Sequence, residues 1–277
     1  MGRETKLHGK RTSGTPRILG VVNVTPDSFS DGGLFLDPER AAARAREQWD
    51  AGADWVDLGP ASSHPSAPET SAEEEIRRLA PVLDRLRGRE RQLSVDSFRP
   101  ETQRYALARG IGMLNDVRGF PDPGLYPELA AADCLLVVMH AVAPGERAPA
   151  PEALVARIEH FFRARMDALE KAGVARERLV LDPGMGFFLS SDPRFSLAVL
   201  RALAALRERL AGPILIGVSR KGFLGELTGR AVAERGAATL AAELFAAAQG
   251  ADFIRTHDVR ALRDALRVHD ALREGSA

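Results

Sequence analysis

Two patterns alternate along the chain. Short apolar, largely β-branched runs recur, and each is followed by a longer stretch with apolar positions at helical spacing. The first run, Ile18-Leu19-Gly20-Val21-Val22, is continuous, as in a strand buried on both faces of a parallel sheet. It ends abruptly in Asn23, Thr25, Asp27, Ser28, Ser30 and Asp31, with Pro26 denying a backbone donor and Gly32-Gly33 permitting left-handed dihedrals. A core strand therefore delivers a long polar loop at its C-terminal end. Next, Asp37-Pro38-Glu39 opens a helix that stops at Gly52, with Asp37 as cap. A strand follows at 55–59, then a Pro/Ser loop. Ser71-Ala72-Glu73-Glu74 caps a helix carrying Ile76, Leu79, Val82, Leu83 and Leu86 on one face. The same reading places strands at 91–96, 113–115, 135–139, 179–181, 213–217 and 252–255. Helices are predicted at 100–110, 124–132, 151–172, 193–210, 234–248 and 258–273.

Repeated β-then-α units imply parallel strands and right-handed crossovers. Eight of them predict an α/β protein of the closed (β/α)8 TIM-barrel type, with residues 16–277 as one domain. The competing architecture is an open doubly wound sheet. No Gly-x-Gly-x-x-Gly follows the first strand, so a dinucleotide site has no support. Residues 1–15, with four basic residues among Gly, Ser and Thr, read as a disordered tail.

Composition narrows the partners. Among 277 residues the net charge is zero and 27% are charged, so neither nucleic acid nor an anionic membrane is an expected partner. The single cysteine, Cys134, sits in an apolar run and is read as a buried thiol. No stretch approaches the roughly 20 apolar residues of a membrane span, and the N-terminus lacks a signal-peptide core. A cytoplasmic protein is expected.

In a barrel of this kind the site lies at the C-terminal ends of the strands. Those ends read Asn23; Asp57; Asp96; Asn115 and Asp116; His140; Asp182; Ser219, Arg220 and Lys221; Arg255 and His257. Taken singly, Asp57 and Asp116 are compatible with loop caps and His140 with a satisfied strand-end histidine. Asp96, Asn115 and Asp182 suit a flat heterocycle with several N–H donors, such as a pterin or guanine edge. A carboxylate near Lys221 stays ionised. Arg255 and His257, with Asn23 opposite, suit an anionic group. Asn23 and Asp31 are hard oxygen ligands, compatible with Mg²⁺ carried in by a pyrophosphate but too few for a protein cage.

These residues stand within motifs. Asn23-Val24-Thr25-Pro26-Asp27-Ser28-Phe29-Ser30-Asp31-Gly32-Gly33, Ser94-Val95-Asp96-Ser97, Asn115-Asp116-Val117, Met139-His140, Leu181-Asp182-Pro183-Gly184, Ser219-Arg220-Lys221 and Arg255-Thr256-His257 resemble the dihydropteroate synthases, in that family's order and over about residues 18–270. The resemblance implies a pterin-binding barrel that condenses 6-hydroxymethyl-7,8-dihydropterin pyrophosphate with p-aminobenzoate, giving 7,8-dihydropteroate for folate synthesis, with Mg²⁺ and as a homodimer. It implies that Asp96, Asn115, Asp182 and Lys221 hold the pterin. Asn23, His64, Arg255 and His257 would hold the pyrophosphate, with Asn23 also on the metal. Phe29, Ser63, Pro65, Phe187, Phe188, Ser219 and Lys221 would line the p-aminobenzoate pocket, and Asp96, Asp182, Lys221 and Asp31 would carry catalysis. The alanines at 237–248 suit a dimer face, and equally are good helix formers.

Two stretches depart from the family. Its usual Gly-Gly-Glu-Ser-Thr-Arg-Pro is here Gly59-Pro60-Ala61-Ser62-Ser63-His64-Pro65, which replaces an arginine by His64. Its usual Gly-Phe-Gly-Lys is here Gly186-Phe187-Phe188-Leu189. Both variants resemble the sulfonamide-resistant synthases spread on mobile elements, so reduced sulfonamide sensitivity is expected. Two alternatives stay open: a pterin-binding paralogue without turnover, which the lost arginine supports, and a barrel transferring a methyl group from methyltetrahydrofolate to a corrinoid, which has no use for a pyrophosphate grip.

Overall fold

Each apolar run becomes a strand of one parallel sheet, ordered β6-β5-β4-β3-β2-β1-β8-β7. The computed structural model describes residues 14–25, 37–62, 67–143, 146 and 149–274. The strands are β1 (Arg17–Asn23), β2 (Trp55–Gly59), β3 (Leu93–Asp96), β4 (Met113–Asp116), β5 (Leu135–Met139), β6 (Leu179–Asp182), β7 (Leu215–Ile216) and β8 (Phe253–Thr256). A bridge from Leu181 to Ile214 and a 2.8 Å bond from Leu181 N–H to the Pro213 carbonyl close the seam between β6 and β7. The predicted barrel is therefore present. The seventh strand is shorter than 213–217, because Pro213 has no N–H to offer a ladder.

The helices are α1 (Pro38–Asp50), α2 (Ala72–Arg85), α3 (Pro100–Ala108), α4 (Tyr126–Ala131), α5 (Pro151–Lys171), α6 (Pro193–Leu210), α7 (Gly222–Thr228), α8 (Gly236–Ala248) and α9 (Val259–Glu274). The expected caps hold: Asp37 accepts from the N–H groups of Glu39 and Arg40, and Ser71 from that of Glu74. The short α7 has no counterpart in the predicted pattern. Thr15, read as part of the tail, donates to Asp270.

Alternation along the strands sorts the core into two layers. One apolar cluster, Leu19, Trp55, Met113, Leu135, Val137, Val180, Leu215 and Phe253, fills the barrel interior. The other set of strand residues packs outward with the helices, among them Ile18, Val56, Leu58, Val95, Leu114, Leu136 and Ile254. Trp55 and Phe253 meet across the floor at 5.9 Å, and the Arg17 guanidinium lies 5.5 Å from the Trp55 ring. Above that floor the inward positions are Asn23, Asp57, Asp96, Asn115, Asp182 and Arg255, so the interior changes from apolar to polar within a few residues.

Candidate active site

Strand alternation places this polar set at one mouth. All but Asp57 line a cavity of about 820 Å³, together with Phe187, Phe188, Ser219, Lys221 and His257. Arg255 is the centre of the charge network. Its Nε donates to Asp57 Oδ2 at 2.5 Å and its Nη2 to Asp96 Oδ2 at 2.9 Å. Burial works against that charge, but Asp57 and Asp96 together hold the guanidinium above its ordinary value. Asp57 is fully buried, and its Oδ1 has no hydrogen-bond partner. Asp96 is pushed up to about 7, chiefly by burial, which Arg255 opposes and Asp57 reinforces.

Beside it, Asp182 and Lys221 influence each other through charge, with no direct ion pair among the described residues. Burial raises Asp182, against the pull of Lys221, and Asp182 Oδ1 accepts from Gly184 N–H at 2.8 Å. Burial lowers Lys221 to about 8, against the pull of Asp182. Lys221 Nζ donates to the Met185 carbonyl at 2.9 Å and stands 5.0 Å from the Phe188 ring centre. Phe187 and Phe188 lie 4.3 Å apart. The turn that delivers Ser219 and Lys221 is tight: Arg220 adopts φ 59, and its N–H is held by Thr239 Oγ1 at 3.0 Å.

His257 stands on the far side. Its N–H donates to Ser219 Oγ at 3.2 Å, and its Nδ1 lies 3.0 Å from the same oxygen. Burial lowers its pKa to about 4, and Arg255, Arg220, Arg44 and Lys221 add to that, so the ring is neutral at neutral pH. Asn23 presents one amide oxygen beside Gly59. Among the described residues no three His, Cys, Asp or Glu side chains could jointly hold a metal ion. One hard oxygen fits a cation whose remaining ligands arrive with a polyphosphate and water.

The face that each side chain takes decides the three strand ends left open in the sequence. His140 follows the inward Met139, so it points outward and its ring packs edge-on against Phe161 at 5.2 Å. Asp116 likewise faces out, where it accepts from Gln103 and from Arg118 N–H, as a loop cap does. Asp57 is no cap: it is the buried counter-ion of Arg255, the functional position that strand-end reading left unassigned. The signal was available, since Asp57 lies two residues after Trp55 and shares its face. Phe29, Asp31, Ser63, His64 and Pro65 lie outside the described residues.

The family of pterin binding enzymes matches residues 19–257. Dihydropteroate synthase type-2 of Escherichia coli is 55% identical over 261 residues, covering 93% of this chain and 96% of that one. This chain belongs to the dihydropteroate synthases. Dihydropteroate synthase type-1 of Escherichia coli is 50% identical over 260 residues, covering 92% and 93% of the two chains. The Xanthomonas albilineans dihydropteroate synthase with 4-aminobenzoic acid superposes with a TM-score of 0.86 at 43% identity, covering 94% of this chain and 93% of that one. The same organism's enzyme in complex with 7,8-dihydropteroate gives 0.82 at 41% identity, covering 94% of each. Both Escherichia coli relatives are numbered types, in keeping with the expected similarity to the mobile-element synthases.

Proposed function

We propose that the chain condenses 6-hydroxymethyl-7,8-dihydropterin pyrophosphate with p-aminobenzoate, releasing pyrophosphate and forming 7,8-dihydropteroate, and does so with reduced sensitivity to sulfonamides. One observation carries the first part. Asp96, Asn115, Asp182 and Lys221 share the cavity with a second, anion-seeking set, Arg255 and His257. The carboxylates and the amide match the hydrogen-bonding edge of a pterin. In this reading they also sit where positive charge develops on the ring as the methylene C–O bond breaks. Arg255 Nη1 makes no bond within the described protein, so it is available to a phosphate oxygen while Nε and Nη2 stay on Asp57 and Asp96. Neutral His257 offers that group a hydrogen bond rather than a charge. Asn23 would hold one position of a Mg²⁺ that, when bound, neutralises the departing pyrophosphate. The arylamine nitrogen then attacks the methylene carbon and loses a proton.

The aromatic pair supports the second part. Phe187 and Phe188 lie beside Lys221 at the cavity wall, where, in this reading, a sulfonamide would extend further than p-aminobenzoate. Deleting Phe188 should restore drug inhibition, and unchanged inhibition sinks the pocket-narrowing idea. Leu227, Phe245 and Val268, on α7, α8 and α9, are exposed apolar side chains, and a homodimer is the reading that would cover them. Ala246 and Ala247 are buried in the helix layer instead, so the alanines alone are not that face. Sedimentation would decide the oligomeric state. No helix among the described residues is long and apolar enough to cross a membrane, in keeping with a cytoplasmic enzyme.

The deciding experiment follows pyrophosphate release with dihydropterin pyrophosphate and Mg²⁺, with and without p-aminobenzoate, then with sulfamethoxazole. Release and dihydropteroate formation that persist under drug support both parts. Drug-sensitive turnover removes the resistance reading. Tight pterin binding without turnover replaces the synthase by the binding-only paralogue.

A further inference from the structure

Behind the strand ends that carry Asp96 and Asn115 lies a buried polar cluster with no place in the chemistry above. Glu75 of α2, Ser97 just after β3, Gln103 of α3 and Asp116 at the end of β4 are all buried, and none of them lines the cavity. At this depth an apolar side chain on α3 would need no partner, whereas an amide must find one. Gln103 finds two. Its Nε2 donates to the Ser97 carbonyl at 2.7 Å and to Asp116 Oδ2 at 2.9 Å. An amide nitrogen carries two protons, so both are committed. A carbonyl can only accept, and Asp116 accepts at both oxygens, since its Oδ1 takes Arg118 N–H at 2.7 Å. Turning the amide over would set an oxygen against two acceptors, so its partners fix its orientation.

Those two acceptors belong to neighbouring strands. Asp96 pairs with Asn115 in the β3–β4 register, and alternation turns both inward. Ser97 and Asp116, one residue further on, turn outward to α3. Ser97 N–H donates to the Asn115 carbonyl at 3.0 Å, which ties the two strand ends at the backbone. Ser97 is also held from α2, because its Oγ donates to Glu75 Oε2 at 2.5 Å while accepting from Arg99 N–H at 3.1 Å. Asp116 in turn secures the turn at 117–120, whose Val117 lines the cavity. We propose that Gln103 is a positioning residue that clamps the ends of β3 and β4 from behind, and so fixes the spacing of Asp96 and Asn115 that a heterocycle edge reads. The occupant rests on the pterin reading above, but the clamp does not.

The clamp serves one side of the cavity. Arg255 touches Asp96, but its shorter carboxylate contact is Asp57, which this cluster does not hold. His257 is anchored on Ser219, after β7. Loosening Gln103 should therefore disturb the heterocycle side and spare the anion side. A residue that merely supported the fold would disturb both.

Full-length Gln103→Met keeps the side-chain length and deletes both donors. Amide hydrogen exchange without ligand should quicken over residues 94–97 and 114–118 and stay as in the wild type over 253–257. Calorimetry with 6-hydroxymethyl-7,8-dihydropterin should show binding weakened about tenfold, the scale of a lost buried hydrogen bond. Calorimetry with inorganic pyrophosphate should show wild-type affinity. Exchange that quickens evenly around the barrel, equal losses for the two probes, or an unchanged affinity for the dihydropterin overturns the proposal. Should Gln103→Met fold poorly, Gln103→Glu is compared with the double variant Gln103→Glu/Asp116→Asn. The single change sets a carboxylate against two acceptors, and the double returns a donor to face it, so folded yield or dihydropterin affinity should recover in part. No recovery of either overturns the clamp. A wild type that fails to bind the dihydropterin refutes the synthase reading, while the exchange pattern still decides whether Gln103 holds the two strand ends.

Discussion

The lower and upper halves of the barrel interior are built by the same strands with the same alternation, yet they hold opposite chemistry. Below, Leu19, Trp55, Met113, Leu135, Val180 and Phe253 form a dry cluster. Above, Asp57, Asp96, Asn115, Asp182, Lys221 and Arg255 crowd charges into a space where burial disfavours them. Hydrophobic transfer favours the lower layer, at about 25 cal/mol per Å². The upper layer gains nothing comparable, because a buried ion pair seldom repays its own desolvation. Its composition makes sense as a demand of ligand recognition, held in place by the packing beneath it.

The comparison breaks most sharply if the two halves are truncated in turn. Asp182→Ala should lower kcat/KM by about 10²–10³ with little loss of melting temperature, since it removes a carboxylate aimed at developing charge. Trp55→Ala should do the reverse. Removing a ring packed on Phe253 and Arg17 should cost about 3–5 kcal/mol in denaturant unfolding, while activity per folded molecule stays near wild type. Equal losses of stability in both variants would mean the halves are not separable.

Asp57→Ala tests the seam between the halves. Arg255 would lose its shorter carboxylate contact and keep only Asp96. Leaving a buried charge short of a partner costs about 3–5 kcal/mol, so this upper-layer variant, unlike Asp182→Ala, should lose stability. Chemical denaturation of the two side by side would show it.

That contrast also marks what the chain discloses in advance. Asp96, Asn115, Asp182 and Lys221 were legible because each ends an apolar run in a motif, and the structure brings them to one cavity. The barrel was legible from alternation repeated eight times. The Asp57–Arg255 pair was not, because it joins residues 198 positions apart across the interior, and no local pattern records such a partner. His140 and Asp116 stand at strand ends with a structural role open to each, and only the face that each side chain takes, outward in both, decides for it. Glu243, buried on α8, lay hidden in an alanine-rich helix whose pattern drew attention to its surface.

Glu243 extends the comparison to the helix layer, where a polar group is again buried against the upper half. A carboxyl whose folded pKa is raised from 4.5 to about 8 keeps its proton in the folded chain over a range where the unfolded chain has lost it. The folded state binds more protons there, so stability falls as pH rises through that window. Glu243→Gln removes the penalty. It should be more stable than wild type at about pH 8, by up to about 4 kcal/mol, with the gain vanishing below about pH 4.5. A gain that persists in acid would assign the effect to packing rather than to the proton.

The smallest effect belongs to the boundary itself. Ser94 is inward, fully buried and two residues below Asp96, and its hydroxyl has no hydrogen-bond partner. It does not line the cavity. If the polar layer exists for the ligand, a hydroxyl beneath the ligand's reach is a pure desolvation cost, and Ser94→Ala should be neutral or stabilising by less than about 1 kcal/mol with kcat and KM unchanged. If the polar layer is instead one cooperative network, losing Ser94 should lower kcat as well. Steady-state kinetics and a melting curve on this one variant locate the level at which the barrel stops being a core and becomes a site.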